Sequence, residues 1–146
     1  MDQRLIVTAG FVAHLVGGGM LAISVSVADV SFTEGQLEFL VLVGYLTPAV
    51  AMGLIWAKNY AYGAPLLFLT TGSTAWFAVY TFYVHDGSAT VWAVTGDGAG
   101  AYLYSSVAVV VGSLTAAGVG FWLWYRESPR LRAMFRRAIR PSNARE

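Results

Sequence analysis

The chain is 146 residues long, enough for one domain. Its 57% hydrophobic and 12% charged content argues against a soluble globule of that size. Nine Lys and Arg stand against eight Asp and Glu, a net charge of +1. With no cysteine, a disulfide framework, CxxC redox chemistry, c-type haem attachment and thiolate metal sites are excluded.

Four apolar runs are long enough to cross ~30 Å of hydrocarbon as helices of about 20 residues. They are Leu5 to Val27, Leu37 to Ala57, Ala64 to Val84 and Ala101 to Tyr125. None shows the alternation of a barrel strand, so the expected fold is all-α: a polytopic four-transmembrane-helix bundle over residues 1–125, followed by a basic amphipathic tail over 126–146.

The first run carries small residues four apart, Ala9, Ala13 and Gly17, beside a second line of Gly10, His14, Gly18 and Ala22. In lipid, such spacing lets helix backbones approach closely. Ser26-Val27-Ala28 also resembles a signal-peptidase site, though the run is longer than an ordinary signal h-region. His14 is the one ionisable side chain deep in a run, about 13 Å from the inner boundary at ~1.5 Å per residue, and intramembrane ionisable groups default to a functional hypothesis. Its glycine neighbours leave room for a flat haem or quinone, with Met52 as the nearest thioether. The simpler expectation is a neutral imidazole bonded to a hydroxyl of a neighbouring span.

The second run has Ala49, Gly53 and Ala57 as its small-residue line. Pro48 there removes one backbone hydrogen bond and crowds the Gly44 carbonyl, predicting a kink that Tyr45 and Thr47 are placed to serve. The third run holds Thr70, Thr71, Ser73 and Thr74. These hydroxyls either bond back to carbonyls one turn earlier or line a small polar cavity that, with His14, relays protons or binds a ligand. The connection from His85 to Gly100 has an apolar middle, Ala89 to Val94, read as a short plug over the helix ends or as interfacial anchoring by Trp92. In the fourth run Ala108, Gly112, Ala116 and Gly120 form one shallow groove, facing a sister span or another subunit.

After Ser128, an N-cap candidate, and Pro129, the tail places Leu131, Met134, Phe135, Ala138 and Ile139 on one helical face and Arg130, Arg132, Arg136, Arg137 and Arg140 on the other. Such a helix is expected to lie in the interface and bind anionic lipid, in preference to a partner protein or nucleic acid.

Every Lys and Arg falls before the first run, between the second and third, or after the fourth, which sets both termini in the cytoplasm of a cell membrane. Asp29, Glu34, Glu38, Asp86 and Asp97 occupy the other side. With His85 they match no metal motif, so no metal site is expected. Eight Arg to one Lys, with abundant Ala, Val and Gly, suggests a prokaryotic source. No GxSxG, HExxH, Walker or dinucleotide pattern occurs and no catalytic residue is assigned. The leading expectation is a non-enzymatic accessory, assembly or structural subunit that forms a homo-oligomer or engages a membrane-protein partner. A proton or solute carrier and a redox accessory binding quinone or haem near His14 are the alternatives.

Overall fold

The computed structural model describes residues 2–139, which are helical throughout apart from turns and one longer connection. Helix α1 is Gln3–Val27, α2 is Glu34–Trp56, α3 is Tyr60–Val79 continued by a π-helical turn Tyr80–Val84, α4 is Ala99–Glu127 and α5 is Pro129–Ile139. Three of these, α1, α2 and α4, are long and apolar enough to cross a membrane. Helix α3 falls outside that set. At 20 residues it is long enough, but its four consecutive-turn hydroxyls and Pro65 lower its hydropathy.

Successive long helices run antiparallel. Gly10 of α1 lies near Ala116 and Val119 of α4, and Gly17 lies near Ala108. Gly44 of α2 lies near Thr74 of α3, and Gly63 of α3 lies near Ile55. The termini of α1 and α4 bearing Arg4 and Arg126 therefore meet at the same end as Lys58, while Asp29, Glu34, Glu38, Asp86 and Asp97 gather at the other.

The small residues are used unequally. A Cβ on Gly17 would stand 2.6 Å from the Ala108 carbonyl oxygen, and one on Gly112 would stand 2.6 Å from that of Ala13, so the two backbones touch reciprocally. Further along α4, Gly120 abuts the backbone of Phe68 in α3, and Ala116 is fully buried. The groove of α4 thus faces sister helices. Ala9, by contrast, is exposed, and the buried line of α1 is Gly10, His14, Gly17 and Gly18. Close packing expected of Ala49, Gly53 and Ala57 is not found either: all three are exposed, because α2 turns Pro48, Ala51, Met52 and Ile55 inward.

The interior has two apolar clusters. Val7, Met52, Ile55, Leu67 and Leu123 fill the basic end, and Leu21, Phe82, Val91, Tyr102 and Val109 fill the acidic end. Between them lies a polar layer contributed by all four long helices.

Ala89 and Val91 are buried under the acidic end. There the Val91 amide bonds the Phe82 carbonyl at 2.9 Å and the Tyr102 hydroxyl donates to the Ala89 carbonyl at 2.6 Å. Trp92 projects outward. The chain then turns at Gly96, whose φ of 92° is a left-handed conformation suited to glycine, and Gly98 passes directly against the Ala28 backbone.

A candidate site in the polar layer around His14

Helix α2 determines the layer. Its middle, Leu40–Leu46, is π-helical, and the widened ladder ends where the Thr47 amide reaches the Leu42 carbonyl, immediately before Pro48. Proline has no amide, so the Gly44 carbonyl receives nothing from position 48. A π segment beside a proline is a recognised way for a helix to absorb that loss, and it stands where the sequence predicts a kink. Thr47 serves the segment as expected, its hydroxyl donating to the Leu42 carbonyl at 2.6 Å. The Gly44 carbonyl is served instead from another helix: His14 Nε2 lies 2.7 Å away.

A carbonyl oxygen only accepts, so Nε2 carries the proton. In the neutral ring Nδ1 is then an acceptor, and the Ser113 hydroxyl stands 3.0 Å from it and donates. His14 is buried, and its ring stacks on Tyr45 at 5.1 Å between centroids. One imidazole thus joins α1, α2 and α4, and Thr74 of α3 closes the layer beside Gly44.

Tyr45 does not take the role expected of it. Its phenol lies in the notch left by Gly18, and its hydroxyl is buried without a hydrogen-bond partner among the described residues. A side chain at position 18 would collide with that phenol.

The third-helix hydroxyls are bonded within their own helix. Thr70 donates to the Leu66 carbonyl at 2.8 Å, Thr71 to Leu67 at 2.7 Å, Ser73 to Leu69 at 2.7 Å and Thr74 to Thr70 at 2.8 Å. Thr71 and Thr74 face the interior while Ser73 faces outward, so the structure does not gather the four around the imidazole. Met52 lies in the apolar cluster of the basic end, and both His14 nitrogens are already engaged within the bundle. Iron ligation through Nδ1 would first have to displace Ser113.

Polar pairs that the sequence reading left unassigned sit nearer the acidic end. Ser24 of α1 meets Ser105 of α4 at 2.5 Å, and the Tyr83 hydroxyl meets Ser106 at 2.8 Å. These serines sit in a small-residue helix, where a hydroxyl that crosses to a neighbour looks the same in sequence as one that bonds its own turn.

At the basic end, Asp2 caps α1 and is bound by the Arg4 guanidinium at 2.7 Å, which holds the Asp2 carboxyl below the usual carboxylate range. Arg4 also lies over the Trp56 ring, and Arg126 over that of Trp122. Ser128 caps α5, accepting from the Leu131 amide at 3.2 Å. Phe135 packs edge-on against Phe121 and Tyr125, and Arg130, Arg136 and Arg137 are exposed. Arg140 lies outside the described residues.

At the acidic end, no group of three or more His, Asp or Glu side chains among the described residues is arranged to hold a metal ion. Comparison with known family models, curated proteins and solved structures yields no match.

Proposed function

We propose that this chain is a multi-pass protein of the cell membrane, crossing the bilayer four times with both termini cytoplasmic. It acts as a non-enzymatic accessory or assembly subunit that docks another membrane helix. The observation that carries this reading is the exposed line of Ala49 and Gly53 on α2 and Ala57 at its C-terminal cap. Gly17 of α1 and Gly112 and Gly120 of α4 are consumed in packing the bundle, whereas this line has the same four-residue spacing and is covered by none of the described residues. In lipid, close backbone approach is the main source of helix affinity, so such a face supports a partner helix or a second copy.

Counting α3 as a fourth span is supported by its 20-residue length and by hydroxyls that all bond within the helix, so they add little cost in hydrocarbon. The orientation is supported by the segregation of Arg4, Lys58 and Arg126 from the five acids of the opposite end. For α5, the apolar face of Met134, Phe135 and Ile139 opposite Arg130, Arg132, Arg136 and Arg137 supports an interfacial helix on anionic lipid.

The test is Gly53→Leu. A Cβ at this position meets nothing within 4 Å and the position is exposed, so the fold is expected to be retained. Single-cysteine crosslinking at Ala49 or Ala57 in native membranes is expected to give a defined adduct, with a second copy or another membrane protein, that Gly53→Leu abolishes. A crosslink pattern unchanged by Gly53→Leu would count against the reading.

A further inference from the structure

At the basic end a cavity of about 540 Å³ opens between two corners of the chain, one between α2 and α3 and one between α4 and α5. Lys58, Asn59 and Tyr60 line it from the first, and Trp124, Ser128 and Arg130 from the second. The cations at this end differ in what they bind. Arg4 is paired with Asp2 and stacked on Trp56, and Arg126 is stacked on Trp122. Lys58 and Arg130, the two that line the cavity, have no carboxylate within 4 Å among the described residues. Glu127 also lines it, and with the Gln3 amide turned to the orientation that satisfies both of its atoms, Glu127 Oε1 accepts from Gln3 at 3.1 Å.

Lys58 is the sole lysine of the chain and holds a left-handed backbone conformation, φ 62°, which is costly for a residue bearing a side chain. The Asn59 side chain caps no amide of the following helix, although asparagine at that position ordinarily does. Two unpaired cations and an uncommitted amide therefore converge on one hollow whose walls are Tyr60 and Trp124.

We propose that this cavity binds the phosphate of an anionic lipid headgroup, with Lys58 and Arg130 on its oxygens and the glycerol and acyl chains running down over the aromatic walls. The inference rests on the membrane-spanning reading, which sets Tyr60 and Trp124 at headgroup level. It shares Arg130 with the tail helix, whose Arg132, Arg136 and Arg137 do not line the cavity. Two cations against one carboxylate that is already bonded favour an anionic headgroup over a zwitterionic one, whose own cation would lie beside Lys58 and Arg130.

The experiment is native mass spectrometry of the full chain in detergent. Wild type, Lys58→Gln, Arg130→Gln and, as a control cation at the same end outside the cavity, Arg4→Gln are each mixed with phosphatidylglycerol, phosphatidylcholine or inorganic phosphate. Wild type is expected to retain one phosphatidylglycerol in preference to phosphatidylcholine. Lys58→Gln and Arg130→Gln should each lower that retention about fivefold, from the worth of one cation near a lipid surface, and Arg4→Gln should leave it unchanged. Equal retention of the two lipids, or full retention by both cavity variants, would overturn the proposal. Displacement by an equal concentration of inorganic phosphate would overturn it too, by showing a free-anion site. Alkaline carbonate extraction of the same membranes separates the two readings: a protein that washes off fails both, and one that stays without lipid preference fails only this one.

Discussion

His14 Nε2 donates at 2.7 Å to the carbonyl of Gly44, the group that Pro48 leaves without its helical amide. A defect in one helix is thereby repaired by a side chain of another, and the repair fixes how α1 and α2 meet. His14→Phe keeps an aromatic ring for Tyr45 to stack on but deletes both hydrogen bonds of the imidazole. Interhelical hydrogen bonds in lipid average about 0.6 and reach about 1.7 kcal/mol, so the expected loss is about 1–3 kcal/mol, read by denaturant titration in detergent micelles. Pro48→Ala returns an amide to position 48, so His14→Phe should cost less in that background. Strict additivity of the two changes would contradict the repair.

The touching backbones of α1 and α4 give a second expectation. Gly17→Ala and Gly112→Ala each place a methyl group against a carbonyl oxygen that no rotamer change can move, so the helices must part at a cost of about 1–3 kcal/mol. Gly72→Ala and Gly118→Ala meet nothing within 4 Å and should be neutral or stabilising by up to about 1 kcal/mol, since alanine is the better helix former. Thermal unfolding of the four variants in one detergent distinguishes the pairs.

Tyr45→Phe removes a buried hydroxyl that bonds to nothing among the described residues and keeps the ring stacked on His14. Deleting an unsatisfied polar group lifts its desolvation penalty, so this variant should equal or exceed wild type by about 1 kcal/mol. A clear loss of stability would mean that the hydroxyl has a partner in the membrane.

Asp2 offers a pH dependence whose sign is fixed. Hydrogen bonds from Arg4 lower its carboxyl pKa in the folded chain, so the cap contributes above the unfolded value near about 3.9 and is lost as pH falls through the folded one. NMR titration should place the Asp2 carboxyl below free aspartate in wild type and return it toward the free value in Arg4→Gln. The group is solvent-exposed, so global stability should barely follow.

Helix positions were legible in the sequence because the apolar runs are long and the turns carry the charges. Gln3–Val27 and Ala99–Glu127 each contain the run expected of them, the first extended by Gln3 and Arg4 and the second by two residues at each end. The tail helix begins after Ser128, where the capping pattern sets it. His14 and Pro48 were each visible as anomalies, but nothing in one sequence relates them, since their meeting depends on helix rotation. The same limit explains the small-residue lines: spacing marks a face as approachable, and only the rotation of α2 determines that Ala49, Gly53 and Ala57 remain uncovered. The inward serines Ser24, Ser105 and Ser106 were missed for a different reason, because hydroxyls in helices ordinarily bond their own turn.

The proposed topology sets four helices across the bilayer with the basic end in the cytoplasm. The chain has no native cysteine, so single substitutions report sidedness cleanly. Cysteines at Asp29, Asp86 and Asp97 are expected to react with an impermeant maleimide on intact cells, whereas those at Lys58 and Ser128 should react only after the membrane is opened. Labelling of Lys58 and Ser128 from opposite faces, or of Asp29 and Asp97 from opposite faces, would contradict a four-span bundle.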